Sequence, residues 1–265
     1  MTTLDPTGGE LIVVKVGSSS ISGERRAQIE PLVDGLASLH RTCRVILVSS
    51  GAISTGMPFL GLEDRPLDLP MQQAAAAVGQ NVLMNRYQRG LSRHEVTAAQ
   101  ILLTASDMDL DSHRVNARNA LRRLLELRML PIINENDTVA THEIRFGDND
   151  RLAALVAKLM RADHLILLSD IPALRTAPPD EPGSEPIHAV PFGDPLEGVR
   201  LGASGSHIGS GGAMTKVDAA RLAADAGVRV TVTATPLLER LVAGERLGTE
   251  FEPNPAPAPE PDDER

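Results

Sequence analysis

The chain has 265 residues and a net charge of −9 at pH 7, with 42% hydrophobic and 23% charged residues, proportions that are typical of a globular protein. Its acidic balance and its aromatic content of 2% argue against a nucleic-acid-binding protein, and its single cysteine, Cys43, excludes an internal disulfide or a zinc site made of cysteines. The sequence shows neither a signal peptide nor an apolar run of the roughly 20 residues that a membrane span needs, so we expect a cytoplasmic protein without a membrane segment.

Short apolar runs alternate with longer stretches of helical period along the chain. Runs such as LIVVKV and HLILLS are apolar on both faces, as are strands of a parallel sheet that helices cover. The pattern predicts strands at residues 11–16, 44–49, 95–103, 129–134, 164–169 and 229–233. It predicts helices at residues 25–40, 69–91, 112–128, 150–160, 214–226 and 236–243. This alternation indicates an α/β fold with a doubly wound, mostly parallel sheet.

Three stretches interrupt this alternation. Residues 138–145, TVATHEIR, have the period of an antiparallel strand, and residues 176–193 are rich in proline, glycine and acids, which indicates a long surface connection. From Pro253 to Pro261 every second residue is proline, and acids follow. This composition predicts an extended, disordered tail. We therefore expect one domain over residues 1–252 and a tail over residues 253–265.

The basic residues are almost all arginine. Of the 26 lysines and arginines only Lys15, Lys158 and Lys216 are lysine. A chain with this bias retains lysine by chance or where a compact point charge is needed. Lys158 lies in a helical pattern and is interpreted as an ordinary helix cation. Lys15 and Lys216 both lie beside glycine-rich turns, which makes them candidates for a site.

Two small-residue turns follow predicted strands near the N-terminus. The first strand ends in VVKVGSSS, which places the Lys15 cation beside Gly17, Ser18 and exposed backbone N–H groups, a combination that suits a phosphate. The second turn contains Ser50 and Gly51 and also follows an apolar strand. Open α/β sheets bind ligands at such strand ends, although tight strand-to-helix turns are also common without any ligand.

A third small-residue turn precedes the helix predicted near residue 214. Its glycines leave backbone N–H groups free at a helix N-terminus, where the helix dipole favours an anion. A lysine in the first turn opposes that dipole, so its presence is better explained when an anion occupies the site. The residues of this candidate anion site are Ser210, Gly211, Gly212, Ala213, Met214, Thr215 and Lys216.

Polar residues also follow the strands predicted at residues 129–134 and 164–169. The segments NEND and GDND contain Asp137, Asn149 and Asp150, and Ser169 with Asp170 end the second of these strands. Helix caps and Asx turns account for some of these side chains. We expect Asp137 and Asp150 to be functional. Asp170 is either a turn residue or a ligand of ribose, metal or lysine.

These segments, in this order, resemble those of the glutamate 5-kinases, a branch of the amino acid kinase family. The matching segments are VVKVGSS, SSGAISTG, AAVGQ, NARNAL, INENDTVAT, FGDNDRLAALVA, LLSDIPAL and GSGGAMTK. The resemblance covers nearly the whole chain up to about Phe251. NEND followed closely by GDND is the part that is specific to this branch, whereas the lysine-glycine segments are shared more widely.

The resemblance implies a three-layer αβα sandwich with a mostly parallel central sheet, the amino acid kinase or carbamate kinase-like fold. It also implies an enzyme that uses ATP and Mg²⁺ to phosphorylate the γ-carboxylate of L-glutamate, the first step of proline biosynthesis. Among partners, it implies feedback inhibition by proline, a glutamyl-phosphate reductase that takes the product, and a homo-oligomer, dimer or tetramer.

The resemblance also assigns roles to single residues, while metal ligands stay unassigned. Lys15 and Lys216 would contact the phosphates and the migrating phosphoryl group, and Asp150 would orient both lysines. Glutamate would be bound by Ser50, Gly51, Asp137 and Asn149. The nucleotide would be held by Lys15, Gly17, Ser18, Ser169, Asp170 and residues 210–216.

The chain departs from the family in several places. Residues 173–179 are ALRTAPP where the family has GLYTADP, GSGGA replaces GTGGM, and Ala105 stands where arginine is frequent. The sequence has a proline-rich tail where many members carry a PUA domain. Two alternatives therefore stay open: a family member that phosphorylates a different carboxylate or carbamate, and a catalytically inactive protein that binds nucleotide or amino acid.

Overall fold

The strand Leu11–Val16 forms the centre of the fold because all of its six side chains are buried. The computed structural model describes residues 9–21, 27–139, 149–178, 180–200 and 212–257. The strands in these ranges are β1 Leu11–Val16, β2 Arg44–Val48, β3 Ala98–Leu103, β4 Leu130–Glu135, β5 His164–Ser169, β6 Ala189–Val190, β7 Arg229–Ala234 and β8 Thr249–Phe251. The helices are α1 Ser18–Ile21, α2 Ile29–Thr42, α3 Ala52–Gly56, α4 Leu69–Ser92, α5 Asp111–Glu126, α6 Asn149–Met160, α7 Ala213–Asp225 and α8 Leu238–Val242.

The described strands form one sheet in the order β3-β4-β2-β1-β5-β7-β8-β6. The β1 strand pairs in parallel with β2 on one side and with β5 on the other, and β7 pairs antiparallel with β8. The strands β2, β3 and β4 therefore lie on one side of β1. The chain then passes to the other side of β1, where β5 begins the second half of the sheet. Ligands bind in open α/β sheets at the carboxyl ends of the strands where this reversal occurs.

Two apolar clusters cover the two faces of the sheet and make three layers. Successive side chains of a strand point to opposite faces. Leu11 and Val13 pack in the cluster that includes residues of α5, α6 and α7, while Ile12 and Val14 pack in the cluster formed with α2, α4 and α8. The expected αβα sandwich with a mostly parallel sheet is confirmed.

Most of the predicted elements are present, with ends that differ by a few residues. The predicted helix 25–40 is observed as Ile29–Thr42, and strand 95–103 as Ala98–Leu103. The predicted helix 236–243 is a 3-10 turn, Thr235–Leu237, followed by the short α8. The pattern did not predict α3, β6 or β8, because each has at most five residues and too few alternations to be recognised.

The structure describes the predicted tail and the segment 138–145 only in part. Asn254 donates its backbone N–H to the carbonyl of Ala224 at 2.8 Å, and residues 258–265 lie outside the described residues. The long connection contains β6, and Ala189 of this strand pairs with Glu250 of β8. Residues 140–145 of the alternating segment 138–145 lie outside the described residues. Within the described ranges, no helix combines the length and apolarity that a membrane crossing requires.

Candidate functional site

The site begins with Lys15, the fifth residue of β1, at the carboxyl-terminal half of that strand. Because side chains alternate along a strand, Lys15 lies on the same face as Leu11 and Val13, where α6 and α7 pack. Its exposed fraction is only 4%. A buried ammonium group requires an anionic partner, since an unpaired charge in the protein interior is very costly.

That partner is Asp150 at the start of α6, which forms ion pairs with two lysines. Lys15 Nζ lies 2.5 Å from Asp150 Oδ1, and Lys216 Nζ lies 3.0 Å from Asp150 Oδ2. Burial alone would raise the pKa of the Asp150 carboxyl, but the two ammonium groups outweigh burial and hold its pKa below the usual value. The carboxylate is therefore ionised at neutral pH, and the three groups together carry a formal charge of +1.

Helix α7 brings Lys216 and Thr215 to this carboxylate from its first turn. Thr215 Oγ1 donates to Gly212 O at 2.9 Å and lies 3.3 Å from Asp150 Oδ2. Lys216 is 6% exposed, whereas Met214 in the same turn is 57% exposed. Ser210 and Gly211 of the predicted loop lie outside the described residues.

Two glycine turns lie around the buried cations. A Cβ atom added to Gly17 would lie 3.8 Å from Lys15 Nζ, so the ammonium group of Lys15 lies over the turn that follows β1. Gly51 has φ of 93°, a left-handed conformation that disfavours a side chain, and a Cβ there would lie 3.6 Å from Ser18. The turns after β1 and β2 are therefore in close contact.

Polar groups of β2, β4 and α6 form a second set beside the lysines. Asn149 Nδ2 lies within hydrogen-bond distance of three acceptors, namely Ser50 Oγ at 2.8 Å, the backbone carbonyl of Ser49 at 3.0 Å and Asn134 Oδ1, and shares its two hydrogens among them. Asn149 immediately precedes Asp150, so the polar set that contains Ser50 lies directly beside the Asp150 carboxylate that binds the lysines. Asp137 follows β4, and its burial raises its pKa to about 6, although the positive charge of Arg65 acts in the opposite direction.

Two further residues take part in this polar set without having been predicted. Asn134 Oδ1 accepts from Asn149 Nδ2 at 3.1 Å, and Gln80 Oε1 accepts from Asn134 Nδ2 at 2.7 Å. Asn134 belongs to the NEND segment, and the signal for Gln80 was a pair of amide residues, Gln80 and Asn81, within the mostly apolar stretch AAAAVGQNVL. A buried amide in such a stretch indicates a specific polar partner.

The remaining predicted residues lie at the end of β5, which pairs with β1. Ser169 is buried, its Oγ donates to Asp170 Oδ1 at 3.2 Å, and its carbonyl accepts from Thr235 Oγ1. Asp170 is exposed. Within the described ranges, no three histidine, cysteine, aspartate or glutamate side chains are grouped so as to hold a metal ion.

The arrangement combines two neighbouring sets with different chemistry. Two buried ammonium groups on one carboxylate form a site that attracts a multiply charged anion, because the lysine charges exceed the aspartate charge. Beside it, hydroxyl and amide groups suit a small polar molecule, while none of the described contacts joins Asp137 to Ser50 or Asn149. The geometry therefore fits the transfer of a charged group between an anionic donor and a polar acceptor.

Comparisons with known proteins support this chemistry. Residues 10–234 match the amino acid kinase family. The chain is 63% identical to glutamate 5-kinase of Clavibacter michiganensis over 91% of this chain and 94% of the relative, and 62% identical to glutamate 5-kinase of Leifsonia xyli over 91% and 90%. Among solved structures, carbamate kinase from Giardia lamblia bound to AMP-PNP superimposes with a TM-score of 0.66 at 14% identity, covering 94% of this chain and all of that one.

Proposed function

The chain belongs to the amino acid kinase family, and on this premise we propose that it transfers the γ-phosphoryl group of ATP to the side-chain carboxylate of L-glutamate. The product is L-glutamyl 5-phosphate, as in the first step of proline biosynthesis. The observation that carries the proposal is the pair of buried lysines on Asp150, directly beside the Asn149–Ser50 contact.

The first step needs no general base. The side-chain carboxyl of glutamate has a pKa of about 4.3, so it is ionised at neutral pH and acts directly as the nucleophile. One carboxylate oxygen forms a bond to the γ-phosphorus, the bond from that phosphorus to the β–γ bridging oxygen breaks, and ADP leaves with the electron pair. The absence of histidine from the site residues identified above is consistent with this requirement.

The lysines address the electrostatic difficulty of this step. A carboxylate must approach a polyanionic phosphate, and the transferring group spreads negative charge over its oxygens. Lys15 and Lys216 would stabilise that charge, and Asp150 would hold both ammonium groups in place before the substrates bind. Ser169, Asp170 and residues 210–216 would bind the rest of the nucleotide, with Gly17 and Ser18 beside its phosphates.

The acceptor would lie in the polar set of β2, β4 and α6. Ionised Asp137 would pair with the α-ammonium group of glutamate, and Ser50, Gly51 and Asn149 would bind its remaining polar atoms. Mg²⁺ bound to the nucleotide phosphates would neutralise part of their charge. This ion usually keeps several waters and binds through phosphates, so it does not require an all-protein cage.

The same proposal includes the surroundings of the enzyme. An acyl phosphate hydrolyses readily in water, so a reductase that accepts it directly is the natural consumer. We propose a cytoplasmic location, assembly as a dimer or tetramer, and feedback inhibition by proline, in line with the resemblance to glutamate 5-kinases.

Hydroxylamine trapping tests the reaction. We expect the protein with ATP, Mg²⁺, glutamate and hydroxylamine to form the γ-hydroxamate. Lys216→Met should lower the rate by about 100-fold or more, because removing one group that stabilises transition-state charge costs that much. Lys158→Met is the matched control, since this lysine lies on α6 outside the site, and it should stay within about twofold.

The acceptor is tested by the same reaction with aspartate, acetylglutamate or carbamate in place of glutamate. Faster turnover with one of these would contradict glutamate as the substrate. The absence of hydroxamate above the Lys216→Met background, with every acceptor, would contradict a kinase.

A further inference from the structure

Helix α4 places a buried amide against the acceptor side of the site. Gln80 is 9% exposed, and its Oε1 accepts from Asn134 Nδ2 at 2.7 Å. Asn134 in turn accepts from Asn149 Nδ2, which also donates to Ser50 Oγ. A continuous hydrogen-bonded chain therefore runs from Gln80 in α4 through β4 and α6 to the turn after β2.

Backbone groups fix the direction of every bond in this chain. The backbone N–H of Glu135 donates to Asn134 Oδ1 at 2.9 Å, so Asn134 must present its Nδ2 to Gln80. The backbone carbonyl of Ser49 accepts from Asn149 Nδ2 at 3.0 Å, so this amide cannot be turned over without opposing two acceptors. Gln80 therefore has to supply an acceptor, and only its Oε1 meets that need.

Two amide atoms of this chain have no described partner: Gln80 Nε2 and Asn149 Oδ1 are buried without a hydrogen bond among the described residues. An apolar side chain in place of Gln80 would remove the first of these atoms but would leave Asn134 Nδ2 without its acceptor, and an unsatisfied buried amide is costly. Gln80 therefore sets the orientation of Asn134, and through Asn134 that of Asn149 beside Ser50.

Helix α4 is held firmly enough to orient them. A Cβ added to Gly79 would lie 1.8 Å from Ala52 O, and one added to Gly56 would lie 1.9 Å from Ala75 O, so the backbones of α3 and α4 are in direct contact. Two turns along α4, Tyr87 Oη lies 2.9 Å from Ser49 Oγ. One helix thus anchors both β2 and β4 where these strands end.

We propose that Gln80 is a positioning residue for the acceptor amino acid, acting through Asn134 on Asn149 and Ser50. This inference rests on the proposed function. Gln80 lies on the acceptor side and has no described contact with Lys15, Asp150 or Lys216. Its loss should therefore weaken the use of glutamate and leave the use of ATP almost unchanged.

The test compares two substitutions of similar size. Gln80→Met keeps the side-chain length and removes the acceptor, and should raise KM for glutamate about tenfold while KM for ATP stays within about twofold. Gln80→Glu keeps an acceptor for Asn134, and should keep KM for glutamate within about threefold of the wild-type value. Steady-state hydroxamate formation measures KM for glutamate and KM for ATP in both variants.

A control separates positioning from general destabilisation. Thr231→Val deletes a different, partly buried hydrogen bond, the one between His164 Nε2 and Thr231 Oγ1 at 2.8 Å near the amino-terminal end of β5. It should lower thermal stability without changing either KM. The role of Gln80 would be overturned if Gln80→Met changed KM for glutamate and KM for ATP equally, or left KM for glutamate at the wild-type value. Neither result would contradict the proposed function. No hydroxamate from the wild-type protein would overturn the proposed function together with the role of Gln80.

Discussion

Two charged residues of the site, Asp150 and Lys216, lie in the first turns of helices. Asp150 is the second residue of α6, where the positive end of the helix dipole favours an acid. Lys216 lies in the first turn of α7, where the same dipole disfavours a cation. Asp150 offsets that disadvantage, and an anionic ligand at the lysines would offset it further. The charge balance of these residues is therefore best suited to the liganded state.

Under the proposed function, Asp137 should make the use of glutamate depend on pH. Its pKa is raised to about 6, so it carries its charge above that pH and loses it below. We expect kcat/KM for glutamate to fall as the pH drops through about 6, because a neutral Asp137 no longer pairs with the α-ammonium group. A pH profile of hydroxamate formation at saturating ATP measures this midpoint.

Arg65 provides the internal check on that assignment. Its positive charge lowers the pKa of Asp137, so Arg65→Gln should move the midpoint to higher pH. Arg240→Gln, which removes an exposed arginine that pairs with Glu245, should leave the midpoint in place. Ionisation of ATP is common to all three proteins and cancels in the comparison. An unchanged or lower midpoint in Arg65→Gln would show that Asp137 is not the titrating group.

At the scale of elements, the contact between α3 and α4 sets the position of the acceptor side. Gly79→Ala would place a methyl group 1.8 Å from a backbone oxygen, which neither helix can relieve by a side-chain movement. We expect a loss of about 3 kcal/mol in the free energy of unfolding from such overpacking. Urea denaturation measures it.

Gly90→Ala on the same helix is the matched control. There the three atoms nearest to the added methyl group are side-chain carbons of Val33 at 3.0 to 3.4 Å, so a shift of this one side chain by a few tenths of an ångström relieves the contact. Alanine also favours a helix by about 1 kcal/mol over glycine, so this variant should be close to wild type. Equal stability of the two variants would mean that α3 and α4 are not in rigid contact.

At the scale of the whole molecule, the site joins the two halves of the sheet. Lys15 lies on β1, where the halves meet, while Asp150 and Lys216 come from helices on either side of β5 in the chain. A ligand that both lysines hold should therefore stabilise the entire domain. At an ATP concentration of about 100 times Kd, linkage gives about 2.7 kcal/mol.

Thermal unfolding measures this linkage without requiring turnover. ATP should raise Tm for the wild-type protein and for Lys158→Met, and should raise it much less for Lys216→Met. Adenosine, which lacks the phosphates, should have little effect. An equal shift with adenosine would show that the lysines do not recognise phosphate. A normal ATP shift in a protein that forms no hydroxamate would instead support an inactive nucleotide-binding protein.

The long elements were predictable because their signals are local. The six residues of β1 are apolar on both faces apart from Lys15, which is the pattern of a central parallel strand, and the excess of arginine singled out Lys15 and Lys216. The strand β8 was missed because its three residues contain too little alternation. The segments NEND and GDND located Asn149, Asp137 and Asp150, and the resemblance paired Asp150 with the two lysines, but nothing in the sequence indicated that Gln80 and Asn134 lead to Asn149.

The sequence by itself determined the α/β fold class with its mostly parallel sheet and the residue types at the candidate site, because periodicity, turn composition and charge are properties of neighbouring residues. Only the tertiary structure decided which of them meet. The Lys216–Asp150 contact spans 66 positions, the Asn149–Ser50 contact 99, and the Gln80–Asn134 contact 54. These contacts depend on how helices pack on the sheet, and packing is fixed by the shape and burial of the whole core rather than by any one segment.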